Sequence, residues 1–338
     1  MRKTWMLVFA CVLIIVMLSS VTFGAANSYK IRAGIGLNDQ SADYKCLVSF
    51  KKIVEQQTNK AITVDVYPSS QLGDDVGMME ALQLGAQEMT WPTSSPVATF
   101  VDEFKVFDLP FLFPSFGAID YVVDGPIGKH LLDKLTAKGI IGLAYGEMGY
   151  RNLTNNIRPV KNPADLKGIK IRTMENPVHI AVMKALGAKP TALPFGELYS
   201  ALQQGVVDAQ ETPWSVTCDS KFYEVQKYAS DIKYVYSPSV LMISKKFYDK
   251  LPKNMQSIVQ KAAVKICKLN RSMKRKEEAE YVKLLKSKLE YTELSSAQLA
   301  QFQKAAQPVY KQFSDINDLI KKAQNEIKKY QNKQSKSK

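Results

Sequence analysis

Histidine is nearly absent from this 338-residue chain, which holds two, His130 and His179. A His-rich metal centre is thereby excluded, and a histidine general base has only two candidates. Catalytic signatures are missing too: there is no G-x-S-x-G elbow, no H-E-x-x-H and no phosphate-binding loop. Gly34-Ile35-Gly36 lacks the third glycine of a dinucleotide fingerprint. Cysteine is scarce, and Cys46, Cys218 and Cys267 are an odd set with no C-x-x-C spacing. One disulfide would leave a thiol over, so these read as small buried apolar residues rather than a disulfide framework. Stability must then come from a large core, and the chain is long enough for two domains.

Long apolar runs are lacking except at the front, where Arg2 and Lys3 precede Trp5 to Leu18 and Gly24, Ala25 and Ala26 follow. That order is a secretory signal's, and the run falls short of the roughly 20 residues of a membrane span. Residues 1–26 are read as a signal peptide, with a retained anchor as the alternative. Cys11 is followed by apolar residues, the wrong setting for acylation. A periplasmic or extracytoplasmic location is expected.

Positive charge is plentiful, at +14 overall, and much of it lies in the tail from Lys321 to Lys338. An anionic surface is one partner for such a run. The plainer reading is a solvated helix end fading into a Lys-rich disordered tail over 326–338. Nucleic acid is not expected, because the basic run lacks interleaved aromatic residues.

Strand and helix signals alternate. Lys30 to Gly36, Ile62 to Tyr67, Glu88 to Thr93 and Ile140 to Tyr145 read as strands. Helical stripes run through Leu47, Phe50 and Val54, and through Val178, Ala181, Val182 and Ala185. This pattern predicts an α/β fold with mostly parallel sheets. Asn254 to Glu290 is helical throughout and long enough to cross between two lobes. Asn162, Pro163 and Gly168 suit the cap, first turn and close of a short helix. Arg172 then falls at the exit of strand Ile169–Thr173, where open α/β sheets place ligands. So placed, it either faces a cleft or pairs with a neighbouring acid.

Further motifs carry a resemblance. They are Arg151-Asn152-Leu153-Thr154-Asn155, Pro163 to Arg172, Leu186-Gly187-Ala188 and Pro194 to Pro213, with Ser70-Gln71-Leu72-Gly73-Asp74-Asp75 upstream and Phe222 to Tyr228 downstream. Together the chain resembles the solute-binding proteins of tripartite ATP-independent periplasmic (TRAP) transporters, the DctP family. No single piece would suffice; the combination is specific and spans most of the mature chain.

The resemblance implies a two-lobe periplasmic-binding-protein-like α/β fold with a hinge and a long inter-lobe helix. Lobe I is expected over 27–148 plus 238–277, and lobe II over 149–237 plus 278–325. It implies capture of a small organic acid and delivery to TRAP membrane permease subunits; a monomer without cofactor, metal ligands of its own or catalysis is expected, and a cation bridging the ligand is left open. Arg172 resembles the arginine that pairs with the ligand carboxylate, Arg151 a second that supports or contacts it, and Phe195 an aromatic wall. Thr212 stands where the family usually has asparagine. Thr93 matches a first-lobe contact that is acidic in sialic-acid binders, and Glu175 stands where those binders have asparagine. Trp91 and Trp214 complete the candidate ligand contacts, with packing away from the ligand as their alternative. His179 reads as a structural histidine. A ligand-sensing subunit and an exported hydrolase are the competing functions. A C4-dicarboxylate and a sugar acid both supply the required carboxylate.

Overall fold

A computed structural model describes residues 28–336; the expected signal segment lies outside them. The chain opens with strand β1 (Tyr29–Gly34), helix α1 (Ala42–Gln57) and strand β2 (Ile62–Tyr67). β1 and β2 pair in parallel from Tyr29↔Ile62 to Gly34↔Tyr67, with α1 as the crossover. Ser41 starts α1 by accepting a hydrogen bond from the Tyr44 N–H, and Cys46, Leu47, Phe50 and Val54 fill its buried face. Helix α2 (Asp75–Leu84) is capped by Asp74, whose carboxylate accepts from the Gly77 N–H at 2.7 Å, and closes at left-handed Gly85.

The strand expected over Glu88 to Thr93 is only Met89–Thr90 (β3), which pairs with β1. The largest departure from the sequence reading comes next. The strand expected over Ile140 to Tyr145 continues as β4 (Ile140–Asn155), antiparallel to an unanticipated strand of similar length, β8 (Tyr228–Ser244). Both strands are buried along most of their length, so neither shows the polar–apolar alternation that betrays a half-exposed strand. Strands β5 (Lys170–Thr173), β6 (Lys189–Ala192), β7 (Ala209–Pro213) and β9 (Glu290–Thr292) complete a mixed nine-stranded sheet. Its order is β2-β1-β3-β8-β4-β7-β5-β6, with β9 on β8. The outer pairs β1–β2, β5–β6 and β5–β7 are parallel as expected, while the central ones are antiparallel.

Helix α3 (Pro177–Ala185) buries Val178, His179 and Val182. Helix α4 (Lys253–Lys288) is the long helix anticipated from the sequence. A buried ion pair at 2.7 Å joins its Lys274 to Asp43 on α1. Arg271 and Arg275 on the same helix engage Asp120, and Arg275 also reaches Glu147 on β4. Cys46, Cys218 and Cys267 are free and buried, and burial pushes the Cys46 and Cys218 thiols up to about 12.

The C-terminal expectation needs correction. Residues 326–336 are not a disordered tail but part of helix α5 (Asn317–Lys336), which buries Ile320, Ala323 and Ile327. Tyr330 packs over Gly117 so closely that a Cβ there would lie 1.9 Å from the Tyr330 Oη. The apolar stripe outlasts the onset of the lysines and docks the helix. Among the described residues no helix is long and apolar enough to cross a membrane.

Candidate ligand-binding site

Strand β7 lies between β4 and β5, and the two arginines flank it. Arg151 on β4 pairs in register with Pro213, and Arg172 on β5 with Gln210. Glu211 on β7 separates their fates. Arg151, 3 % exposed, gives its Nε to the Glu211 carboxylate and an Nη to the Glu211 backbone carbonyl. The Tyr234 hydroxyl donates to Glu211 Oε2 at 2.6 Å, and His179 Nδ1 lies 3.4 Å from Oε1. His179 Nε2 meets Asp108 at 3.0 Å, and Asn176 Nδ2 donates to Asp108 at 2.9 Å.

Burial alone would raise the Glu211 pKa, but the charges of Arg151 and His179 outweigh it and hold the carboxyl down at about 2. Burial disfavours charge on His179, yet Glu211 and Asp108 raise its pKa above the ordinary value. His179 is thus structural, as expected.

Arg172 is equally buried, at 3 % exposure, but no carboxylate lies within ion-pairing distance of it among the described residues. Its Nε donates to the Leu193 carbonyl at 2.9 Å, which fixes the plane of the guanidinium. Burial and the Arg151 charge lower its pKa to about 10, despite the nearby charges of Glu211, Asp75 and Glu175. It stays protonated at neutral pH.

Arg172 and Arg151 line one cavity of about 70 Å³. This is room for several waters, since one needs roughly 10–15 Å³. Five more of the candidates line it: Phe195, Thr212, Thr93, Glu175 and Trp91. Phe195 is half-buried and edge-on to Phe222 at 6.1 Å, so it is both wall and packing. Thr212 Oγ1 is 3.0 Å from Thr217 Oγ1, and the Thr93 hydroxyl donates to the Pro238 carbonyl at 3.3 Å. Trp91 is buried, and its Nε1–H meets no acceptor among the described residues.

Trp214 does not line this cavity. It is fully buried in a separate cluster with Cys218, Ala229, Leu285 and Leu289, donates to Asp231 at 3.3 Å and packs on Tyr291. Pro213 lines the cavity while the next side chain, at the head of a short helix, turns away from it. Conversely, Asp75, Ser70 and Gly36 line the cavity without having been singled out as contacts. The paired aspartates stand at the start of α2, but one cap needs one carboxylate, and the second was the available signal. Among the described residues no group of three or more histidine, cysteine, aspartate or glutamate side chains could hold a metal ion.

A buried arginine without a carboxylate partner on a cavity wall is the arrangement that suits a binder of small anions. Residues 34–317 match the family described as bacterial extracellular solute-binding protein, family 7 (DctP). A solute-binding protein of Verminephrobacter eiseniae is 40% identical over 86% of this chain and 86% of its own length. The C4-dicarboxylate-binding periplasmic protein DctP of Rhodobacter capsulatus is 36% identical over 80% and 82%. The crystal structure of the sugar acid binding protein DctPAm of Advenella mimigardefordensis, in complex with galactonate, superimposes with a TM-score of 0.88 at 36% identity. It covers 90% of this chain and 99% of that one. The chain belongs to the DctP family of TRAP-transporter solute-binding proteins. It therefore has that family's two-lobe α/β fold and is a binding component of transport rather than an enzyme.

Proposed function

We propose that this protein captures a small organic acid outside the cytoplasm and delivers it to the membrane subunits of a TRAP permease, acting as a monomer. The observation that carries the reading is Arg172, buried on the cavity wall with its terminal nitrogens free of any carboxylate. A guanidinium fork matches a carboxylate in two parallel hydrogen bonds. Each charge-assisted bond contributes roughly 1.5–3 kcal/mol net. Micromolar affinity needs about 8 kcal/mol, so the fork plus apolar walls and lobe closure suffice. Arg151 supports the fork indirectly: by engaging Glu211 it keeps that carboxylate from occupying Arg172.

The lobe boundaries proposed at 148/149 and 237/238 coincide with a register shift in the sheet. The β4–β8 ladder slips between Glu147 and Gly149, opposite Pro238 and Ser237. Proline offers no N–H to a ladder, and a bulge bends a strand, so this is a natural hinge. A thermal-shift screen of a carboxylate library tests the reading. Arg172→Ala should abolish the ligand-induced rise in Tm with the fold intact, and Arg172→Lys should weaken binding because lysine lacks the planar fork. Undiminished affinity in Arg172→Ala would overturn the assignment.

A further inference from the structure

The cavity lined by Arg172 is also lined by three acidic residues, Asp74, Asp75 and Glu175, and Arg151, the other cation there, is taken by Glu211. Asp74 is occupied in capping α2. Asp75 makes no hydrogen bond or ion pair among the described residues, although it is half-buried. Its carboxylate lies beside the bare face of Gly36. A Cβ on Gly36 would lie 3.5 Å from Asp75 Oδ1, 3.6 Å from Phe195 Cδ1 and 3.7 Å from Ser70 Oγ. A free carboxylate, a ring and a free hydroxyl thus converge on one small space in the same cavity as an unpaired, buried guanidinium.

The backbone goes out of its way to make that space. Ser69 and Ser70 both adopt the left-handed region, at φ 55° and 56°. Their N–H groups are pinned to the Leu37 and Ile35 carbonyls at 2.8 and 3.0 Å. Consecutive non-glycine residues in this conformation are strained, and strain of this kind gathers at ligand sites.

Charge points the same way. Arg151 is paired with Glu211, so Arg172 is the one cation of the cavity lining left for a single carboxylate. A second ligand carboxylate would enter the field of Asp75, Asp74 and Glu175 with no free cation to meet it. Burial first, then Asp74 and Glu175, push the Asp75 carboxyl up to about 6 against the pull of Arg172, so it is still mainly ionised above pH 7.

We propose that this pocket selects a hydroxylated monocarboxylate over a dicarboxylate, with Asp75 accepting hydrogen bonds from ligand hydroxyls and repelling a second carboxylate. This rests on the carboxylate-binding reading of Arg172. A carboxylate acceptor suits an O–H donor, Ser70 can donate or accept, and Phe195 covers the carbon chain.

Calorimetric titration at pH 7.5 with D-erythronate and succinate, both four-carbon acids, tests it. The wild type should bind erythronate at least tenfold more tightly. Asp75→Asn should lose affinity for erythronate and gain it for succinate, cutting the preference at least tenfold, with melting curves showing an intact fold. Ser70→Ala, a milder change, should weaken erythronate alone. Succinate binding as tightly as erythronate in the wild type, or a preference unchanged in Asp75→Asn, overturns the proposal while leaving the role of Arg172 standing. If the wild type takes neither acid, or Arg172→Ala retains both, the carboxylate reading falls and this proposal falls with it.

Discussion

Arg151 and Arg172 flank the same strand, yet Glu211 captures only the first, and that asymmetry leaves one guanidinium for a ligand. Removing the acid should be costly. Glu211→Gln leaves Arg151 buried and uncompensated, which typically costs 3–5 kcal/mol; chemical denaturation should show that loss, and near-wild-type stability would contradict the network. The same residues set a pH profile. Glu211 is held down at about 2, so its contribution, ~3 kcal/mol, is fully present above the ordinary carboxyl range and lost as pH falls from about 4.5 toward 2. The raised pKa of His179 acts oppositely: its contribution is complete below about 6.5 and fades as pH rises through the higher folded value. Tm measured from pH 2 to 9 should fall at both ends, and Glu211→Gln should flatten the acid limb. At this scale the sequence was partly legible. A helix cap and a strand exit placed Arg172 at either a cleft or an ion pair, and only the family resemblance favoured the cleft, whereas the capture of Arg151 by Glu211 depends on β7 lying between β4 and β5. No local spacing encodes that adjacency. Trp214 takes its packing alternative: it adjoins a lining proline in sequence but sits in the cluster with Leu285 and against Tyr291.

Among the elements, helices declared themselves best. Asn162, Asp74 and Ser41 cap as their types demand, and the expected stripe of α1 is buried; on α3 Val178 and Val182 are buried as expected, but Ala181 is half-buried and Ala185 exposed. Strand β8 and the part of β4 beyond Tyr145 did not. Burial along most of their length erases the period of two, and Gly142, Gly146, Gly149 and Pro238 interrupt the β-branched runs that mark a strand. Lysines masked the last turns of α5 in the same way, by dominating composition where three apolar positions dominate packing. Ile327→Ala should therefore destabilise the protein by about 2–4 kcal/mol in urea unfolding. No change would show that this end of the helix is not docked.

For the whole molecule, two lobes joined by long strands and the helix α4 make a device whose closed form is favoured by whatever ligand bridges it. In the proposed site the free arginine supplies the attraction, which strengthens as closure on a ligand displaces water that would otherwise screen it. Release then requires only that the permease favour the open form. The most direct test is a crystal structure of the protein with its bound acid. The account predicts a ligand carboxylate set bidentately on the two terminal nitrogens of Arg172, at roughly 2.7–2.9 Å. A carboxylate held by other residues, with Arg172 turned onto Asp75 or Glu175 instead, would contradict it.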